Sequence, residues 1–165
     1  ERARAVDRIM AREFDPESIT LAEFVDEALV RAGSGETYGT APTADETTVT
    51  TDVPADAALV TDRAALRAAV DAALENAVEY ARSRVSVGVD RAGDDYVIEV
   101  SDDGPGIPAA ELDALRRGTE TDLRHGRGLG LWQIRWGVDK LDGRLSFETD
   151  DGTTVRITIP DRAAL

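Results

Sequence analysis

The sequence predicts an α+β fold: a two-layer sandwich in which a mixed, mostly antiparallel sheet carries helices on one face. Three observations predict it. Helical segments place apolar residues at three- and four-residue spacing, as in Leu21, Phe24, Val25, Ala28 and Leu29. Two pairs of short segments alternate apolar and polar residues around Gly- and Asp-bearing turns, the pattern of β-hairpins. Strands and helices do not follow one another in strict βαβ order, which argues against an all-parallel sheet.

Taken in order, residues 1 to about 13 read as a charged helical end with Val6, Ile9 and Met10 as sparse apolar positions, and Asp15-Pro16-Glu17-Ser18 interrupts it. Ser18 is placed to cap a second helix, since its hydroxyl can accept from a free N–H of the first turn. Residues 33 to 48, rich in Gly, Ser and Thr, read as a loop, and Thr48 to Val53 as a strand. Asp62 then caps a long helix whose Leu66, Ala69, Val70, Ala73, Leu74 and Ala77 share one face. Asn76 borders that face, Ala72 lies one turn before it, and Glu79 falls on the opposite, solvated side. Val85, Val87 and Val89 alternate up to the turn Ala92-Gly93-Asp94-Asp95, and Tyr96 to Val100 return. A second hairpin joins Arg144–Thr149 to Thr153–Ile159 through an Asp-Asp-Gly turn.

A chain of 165 residues is one domain, large enough to bury a core without staples. It has no cysteine, which excludes disulfides and thiolate metal sites. No apolar run approaches the ~20 residues of a membrane span, so the segment reads as soluble and cytoplasmic, with any membrane attachment elsewhere. The net charge is −14, from 33 acidic and 19 basic residues, and Lys140 is the single lysine. Such a surface argues against nucleic-acid or anionic-membrane partners, which need cationic footprints. Acid excess with little lysine points to a salt-adapted protein, since screening relieves self-repulsion. A GC-rich genome accounts for the missing lysine but not for the acid.

Three segments carry chemistry. Gly126-Arg127-Gly128-Leu129-Gly130-Leu131-Trp132 places glycines at alternate positions ahead of an apolar helical pattern. Glycine lets a backbone approach a ligand, and a helix N-terminus presents free N–H groups and positive dipole to phosphate. Val100-Ser101-Asp102-Asp103-Gly104-Pro105-Gly106-Ile107 sets a carboxylate at a strand end, where it can accept from an exocyclic amine. Asn76 offers a neutral carbonyl oxygen suited to a hydrated Mg²⁺ that also touches phosphates. Alone, each admits a plain reading as a tight connection, a turn or a solvated side chain. Their order and proximity favour one ligand.

Asn76, Asp102-x-Gly104-x-Gly106, Gly126-x-Gly128-x-Gly130 and Gly152-Thr153 resemble the four ordered boxes of the GHKL superfamily, which has the Bergerat ATP-binding fold. The Gly-Leu-Gly-Leu form and the ending Asp151 to Pro160 are similar to the catalytic domain of sensor histidine kinases, over roughly residues 18 to 161. The resemblance implies that Asp102 takes the adenine amino group and that Gly104 and Gly106 shape the base pocket, with either Thr153 or Thr154 joining through a water. It implies that Asn76 holds Mg²⁺ and that Gly126, Gly128 and Gly130 cradle the phosphates of ATP at a helix beginning near Leu129. Tyr80, Ile107, Leu129 and Leu131 complete the nucleotide site. Arg124 and Arg127 stand where relatives contact the γ-phosphate; in so acidic a chain they are plausible anion clamps, or a solvated pair.

Residues 108 to 125 would form a short lid, without the Phe that such kinases usually carry there. Ala72 replaces a residue that is Asn or Glu in the superfamily, and Glu79 replaces a frequent Lys. His125, the only histidine, lies in the lid and not on an acceptor helix. The implied organisation is a helical tail of a preceding linker or dimerisation module over 1–14 and an ATP-binding catalytic domain over 15–162. The chain is then a catalytic domain cut from a longer protein, or one that works in trans. Its expected partners are a dimerisation and phosphoacceptor module and, downstream, a response regulator. The expected reaction moves the γ-phosphate of MgATP to a histidine of that module. A serine kinase of the anti-sigma type and a transfer-incompetent nucleotide-dependent signalling module are the alternatives.

Overall fold

The structure, a computed structural model, describes residues 11–32, 47–117 and 127–164, with 114, 116, 117, 127–129 and 164 described by backbone alone. Residues 1–10 of the helical end expected over 1 to about 13, most of the 33–48 loop, and Arg124, His125 and Gly126 lie outside the described residues.

Elements follow in the order β1 (Pro16–Thr20), α1 (Leu21–Arg31), β2 (Thr48–Asp52), β3 (Ala58–Asp62), α2 (Arg63–Tyr80), β4 (Arg84–Ala92), β5 (Asp95–Asp102), α3 (Ala109–Arg117), α4 (Arg127–Lys140), β6 (Arg144–Glu148) and β7 (Thr153–Pro160). A 3₁₀ turn (Arg162–Ala164) follows them. Five strands form the main sheet in the order β2-β4-β5-β7-β6, antiparallel except for the parallel β2–β4 pair. This is the mixed, mostly antiparallel sheet expected.

Strand parity divides the sheet. Val85, Val87 and Val89, Tyr96, Ile98 and Val100, and Val155, Ile157 and Ile159 face inward and are buried with the helices. On α2, Leu66, Ala69, Val70, Ala73, Leu74 and Ala77 are all buried, as the wheel predicts, and Glu79 is exposed. The opposite face of the sheet is polar and pairs with itself. There Ser101 Oγ lies 2.9 Å from Thr154 Oγ1, and Arg156 donates to Glu99 at 2.8 Å and to Glu148 at 3.3 Å.

Two short strands depart from expectation. Ser18 does not cap a helix: it sits in β1, opposite Val60 of β3 in a separate two-stranded antiparallel sheet. Helix α1 starts after Thr20, whose side chain makes no capping bond. Burial of the α1 face, with Phe24 and Leu29 in the core, replaces the cap as its anchor. Asp62 does cap α2, accepting from Ala65 N at 3.0 Å, and its second oxygen accepts from Asp15 N at 2.9 Å. Asp161, 4% exposed, closes the domain by accepting from Val60 N, Ala163 N and the Arg91 guanidinium.

Helices α2 and α4 pack along each other. Gly137 of α4 sits so close to α2 that an added Cβ would lie 2.9 Å from both the Ala65 carbonyl oxygen and Ala69 Cβ. Gln133 donates to the Ala68 carbonyl at 3.1 Å. The end of α4 thus meets the start of α2. With long contact between them, the two run antiparallel, and α4 begins toward the Asn76 half of α2.

Candidate functional site

Asp102 is the last inward residue of β5, continuing the alternation of Tyr96, Ile98 and Val100. It is 8% exposed, and its Oδ1 accepts from Gly104 N at 2.8 Å. Directly across the ladder on β7 stands Thr153, 2% exposed, with a buried hydroxyl that has no hydrogen-bond partner among the described residues. Thr154, the other threonine expected near the base, points to the opposite face, where Ser101 engages it. Parity therefore separates the two: Thr153 shares a face with Asp102, and Thr154 does not.

The adjacent acid has a different task. One oxygen of Asp103 accepts from the backbone N–H groups of Arg82, Ser83 and Arg84 at 2.9, 3.0 and 3.0 Å. The other accepts from Ser83 Oγ at 2.6 Å. The Ser83 hydroxyl above all, then the N–H groups, hold this carboxyl well below the usual carboxylate range. Asp103 fastens the α2–β4 turn to the end of β5, and so fixes where Asp102 stands.

The glycines after Asp102 are required by the chain itself. A Cβ on Gly104 would collide with the Tyr80 carbonyl oxygen and lie 2.8 Å from Asp102 Oδ1. Gly152, at φ +107°, leaves no room for a Cβ against the Asp102 carbonyl oxygen. Gly106 is buried beside Thr149 and Gly152, and Ile107 is buried in the core.

Asn76 lies late in α2, 6% exposed, and its Nδ2 is buried without a partner among the described residues. Tyr80 ends the same helix, half-buried. Helix α4 begins at Arg127, two residues before the expected start, which puts Gly128 and Gly130 in its first turn. Gly130 and Leu131 are buried. Trp132 is buried against Trp136, with ring centroids 5.2 Å apart. The structure thus brings Asp102, Thr153, Gly104, Gly106 and Ile107 to one end of the β5–β7 ladder, and Tyr80 reaches it through Gly104. Asn76 and the first turn of α4 belong to the helical layer beside it. Arg124 and Gly126 lie outside the described residues, and of Arg127, Gly128 and Leu129 only the backbone is placed.

Residues 61–163 match the family described as histidine kinase-, DNA gyrase B-, and HSP90-like ATPase. The chain belongs to this family. It is therefore a nucleotide-binding ATPase-type domain, and its similarity to sensor kinases is direct. It is 38% identical over 93 residues to the two-component sensor PhoQ of Pseudomonas aeruginosa, covering 54% of this chain and 20% of PhoQ. To the sensor protein KdpD of Escherichia coli it is 33% identical over 99 residues, covering 55% of this chain and 11% of KdpD. The chain thus matches a fifth or less of these two relatives. The structure of the mycobacterial sensor histidine kinase MprB shares the fold, with a TM-score of 0.70 at 24% identity over 90% of this chain and 99% of that one. These relatives lend no support to the salt-adapted origin read from the charge.

Arg135 escaped the sequence reading. It lies over the Trp132 ring at 5.8 Å, its Nε is 3.8 Å from Asp139, and its NH1 donates to the Leu115 carbonyl of α3. Its spacing from Trp132 and Asp139, three and four residues, was the available signal.

Proposed function

We propose that this chain is the ATP-binding catalytic domain of a two-component sensor histidine kinase, over residues 15–162, with 1–14 the tail of a preceding linker or dimerisation module. In this reading Asp102 and Thr153 receive the adenine, and the first turn of α4 receives the phosphates. The acceptor is a histidine on a dimerisation and phosphoacceptor module, in the same protein or in trans, and a response regulator lies downstream. No described helix is long and apolar enough to cross a membrane, which accords with a cytoplasmic place for this segment.

The observation that carries the reading is the pairing of Asp102 with Thr153 across β5 and β7, at the end of the sheet next to the glycine-box helix. The Thr153 hydroxyl and Asn76 Nδ2 are buried polar groups without hydrogen-bond partners among the described residues. Such groups call for a water or a ligand. Among the described residues no cluster of three or more His, Cys, Asp or Glu could hold a metal. A single neutral Asn suits Mg²⁺ of the kind that keeps its waters and is shared with phosphate oxygens. Bound there, Mg²⁺ would supply charge neutralisation on the phosphates. What the chain itself does is bind, orient and shield the nucleotide. Ala72, buried one turn before Asn76, gives no carboxylate to orient a water, so hydrolysis without an acceptor is expected to be slow.

The test is binding of MgATP and ADP by calorimetry and Trp132 fluorescence, in dilute buffer and in molar KCl, with Asp102→Asn as control. A histidine-bearing helical partner and labelled ATP follow. Binding lost in the control and an acid-labile phosphoprotein are expected. A folded wild type that binds neither nucleotide sinks the reading. An acid-stable product moves it to the serine-kinase class.

A further inference from the structure

We infer that Arg135 is a positioning residue that clamps α3, the start of the lid, to α4, the helix that opens with the glycine box. The functional consequence rests on the nucleotide reading above; the clamp itself does not.

Helix α4 builds the base of the clamp from its own residues. Trp132, one turn before Arg135, offers its ring face at 5.8 Å, and Asp139, one turn after, stands 3.8 Å from Nε. A guanidinium within cation–π reach of an indole and close to a carboxylate loses some of its rotamer freedom. Its NH1 is then aimed at α3, where the Leu115 carbonyl accepts it. Leu115 lies in the last turn of α3, whose carbonyls have no partner within the helix. A cation there both satisfies a free carbonyl and meets the negative end of the dipole.

Packing around the contact gives the clamp weight. Leu112 and Leu115 are the apolar residues that α3 buries, at 8% and 3% exposure. Beside them a cavity of about 480 Å³ opens between α3, α4 and β6, bordered by Arg135, Asp139, Leu145 and Phe147 as well as the two leucines. The Arg135 bond adds to the burial of Leu115 in holding the last turn of α3. Helix α3 follows Gly106 and Ile107, and α4 begins with the phosphate-side glycines. Arg135 thereby joins a helix that follows the base-side glycines to one that opens with the phosphate-side glycines.

The test uses the full chain with Arg135→Met, which keeps the apolar stem, and Arg135→Lys, which can reach the carbonyl but cannot stack as a plane. Hydrogen exchange is read without nucleotide. Amides of α3 in the Met variant are expected to exchange about tenfold faster, the effect of one charge-assisted hydrogen bond at a part-exposed site. Amides of β5 and β7 should keep wild-type rates, and the Lys variant should recover part of the protection. With a fluorescent ATP analogue, dissociation from the Met variant should quicken several-fold while association stays near wild type. Unchanged α3 exchange in the Met variant, or exchange that rises equally throughout the domain, overturns the clamp. A loosened α3 with unaltered nucleotide dissociation overturns the coupling. A wild type that binds no nucleotide overturns the function reading instead, and the exchange result still decides the clamp.

Discussion

Asp102 and Asp103 are neighbours with opposite jobs, and removing the second tests that division. In Asp103→Ala the turn loses three backbone N–H bonds of 2.9–3.0 Å and one hydroxyl bond of 2.6 Å. Charge-assisted bonds contribute about 1.5–3 kcal/mol each when sheltered. Here the donors are exposed and water replaces the carboxylate, so about 0.5 kcal/mol per bond is the fitting scale, roughly 2 kcal/mol in sum. For a domain of this size that lowers Tm by about 4–8 °C. Asp103→Asn keeps the shape without the charge and should lose about half as much. The assay is urea and thermal unfolding, with ADP affinity measured on the folded fraction.

The pH dependence has a definite sign. The folded Asp103 carboxyl is depressed below its unfolded value. Its contribution is therefore complete above the unfolded pKa, about 4, and fades as pH falls toward the folded value. The gap between wild type and Asp103→Asn should be constant from neutral pH to about 4 and narrow below. An Asp103→Ala variant that melts with wild type would refute the reasoning, and so would a gap that narrows between pH 7 and 5.

Two further predictions use the neck of the β5–β7 ladder. Thr153→Val removes a buried hydroxyl without a protein partner, so stability should hold or rise slightly while nucleotide affinity falls about fivefold, one hydrogen bond's worth. Thr154→Val, on the far face, should leave affinity unchanged; calorimetry on both settles it, and equal losses would contradict the parity argument. Gly152→Ala forces a Cβ into the Asp102 carbonyl at φ +107° and should cost about 3 kcal/mol or more. By contrast Gly88, with nothing within 4 Å of an added Cβ, should accept Ala within about 0.5 kcal/mol by urea unfolding.

What the sequence made legible was local. Both hairpins could be read because alternation is a two-residue signal and Gly93-Asp94 and Asp151-Gly152 mark their turns. The Asp62 cap spans three residues and was equally plain. β1 escaped because one of its five residues, Ile19, is buried, so it shows no alternation and is specified by pairing with distant β3. Ser18 beside an amphipathic run looks like a cap for the same reason. The glycines were visible as a motif, but the need for Gly104 comes from Tyr80, on another element. Thr153 and Thr154 were separable in principle, since counting the alternation from Ile159 back through Ile157 and Val155 puts Thr153 inside. For Arg135 the spacing from Trp132 and Asp139 was readable, but its bond to α3 was not, because that partner is a backbone carbonyl on another helix.

Asp102 and Thr153 also form the end rung of the β5–β7 ladder, and together they bound everything between them. The chain leaves β5 after Asp102, runs through α3, the glycine box and α4, rejoins the sheet as its edge strand β6, and comes back beside Asp102 at Thr153. The excursion is closed at its two ends by one narrow throat, with Gly152 wedged against the Asp102 carbonyl to make the closure tight, while β6 and α4 anchor it along β7 and α2. Loop-closure entropy grows only slowly with length, so the excursion can lengthen or shorten without disturbing the throat. A base held by both residues of that rung would act as a drawstring, steadying segments that it never touches.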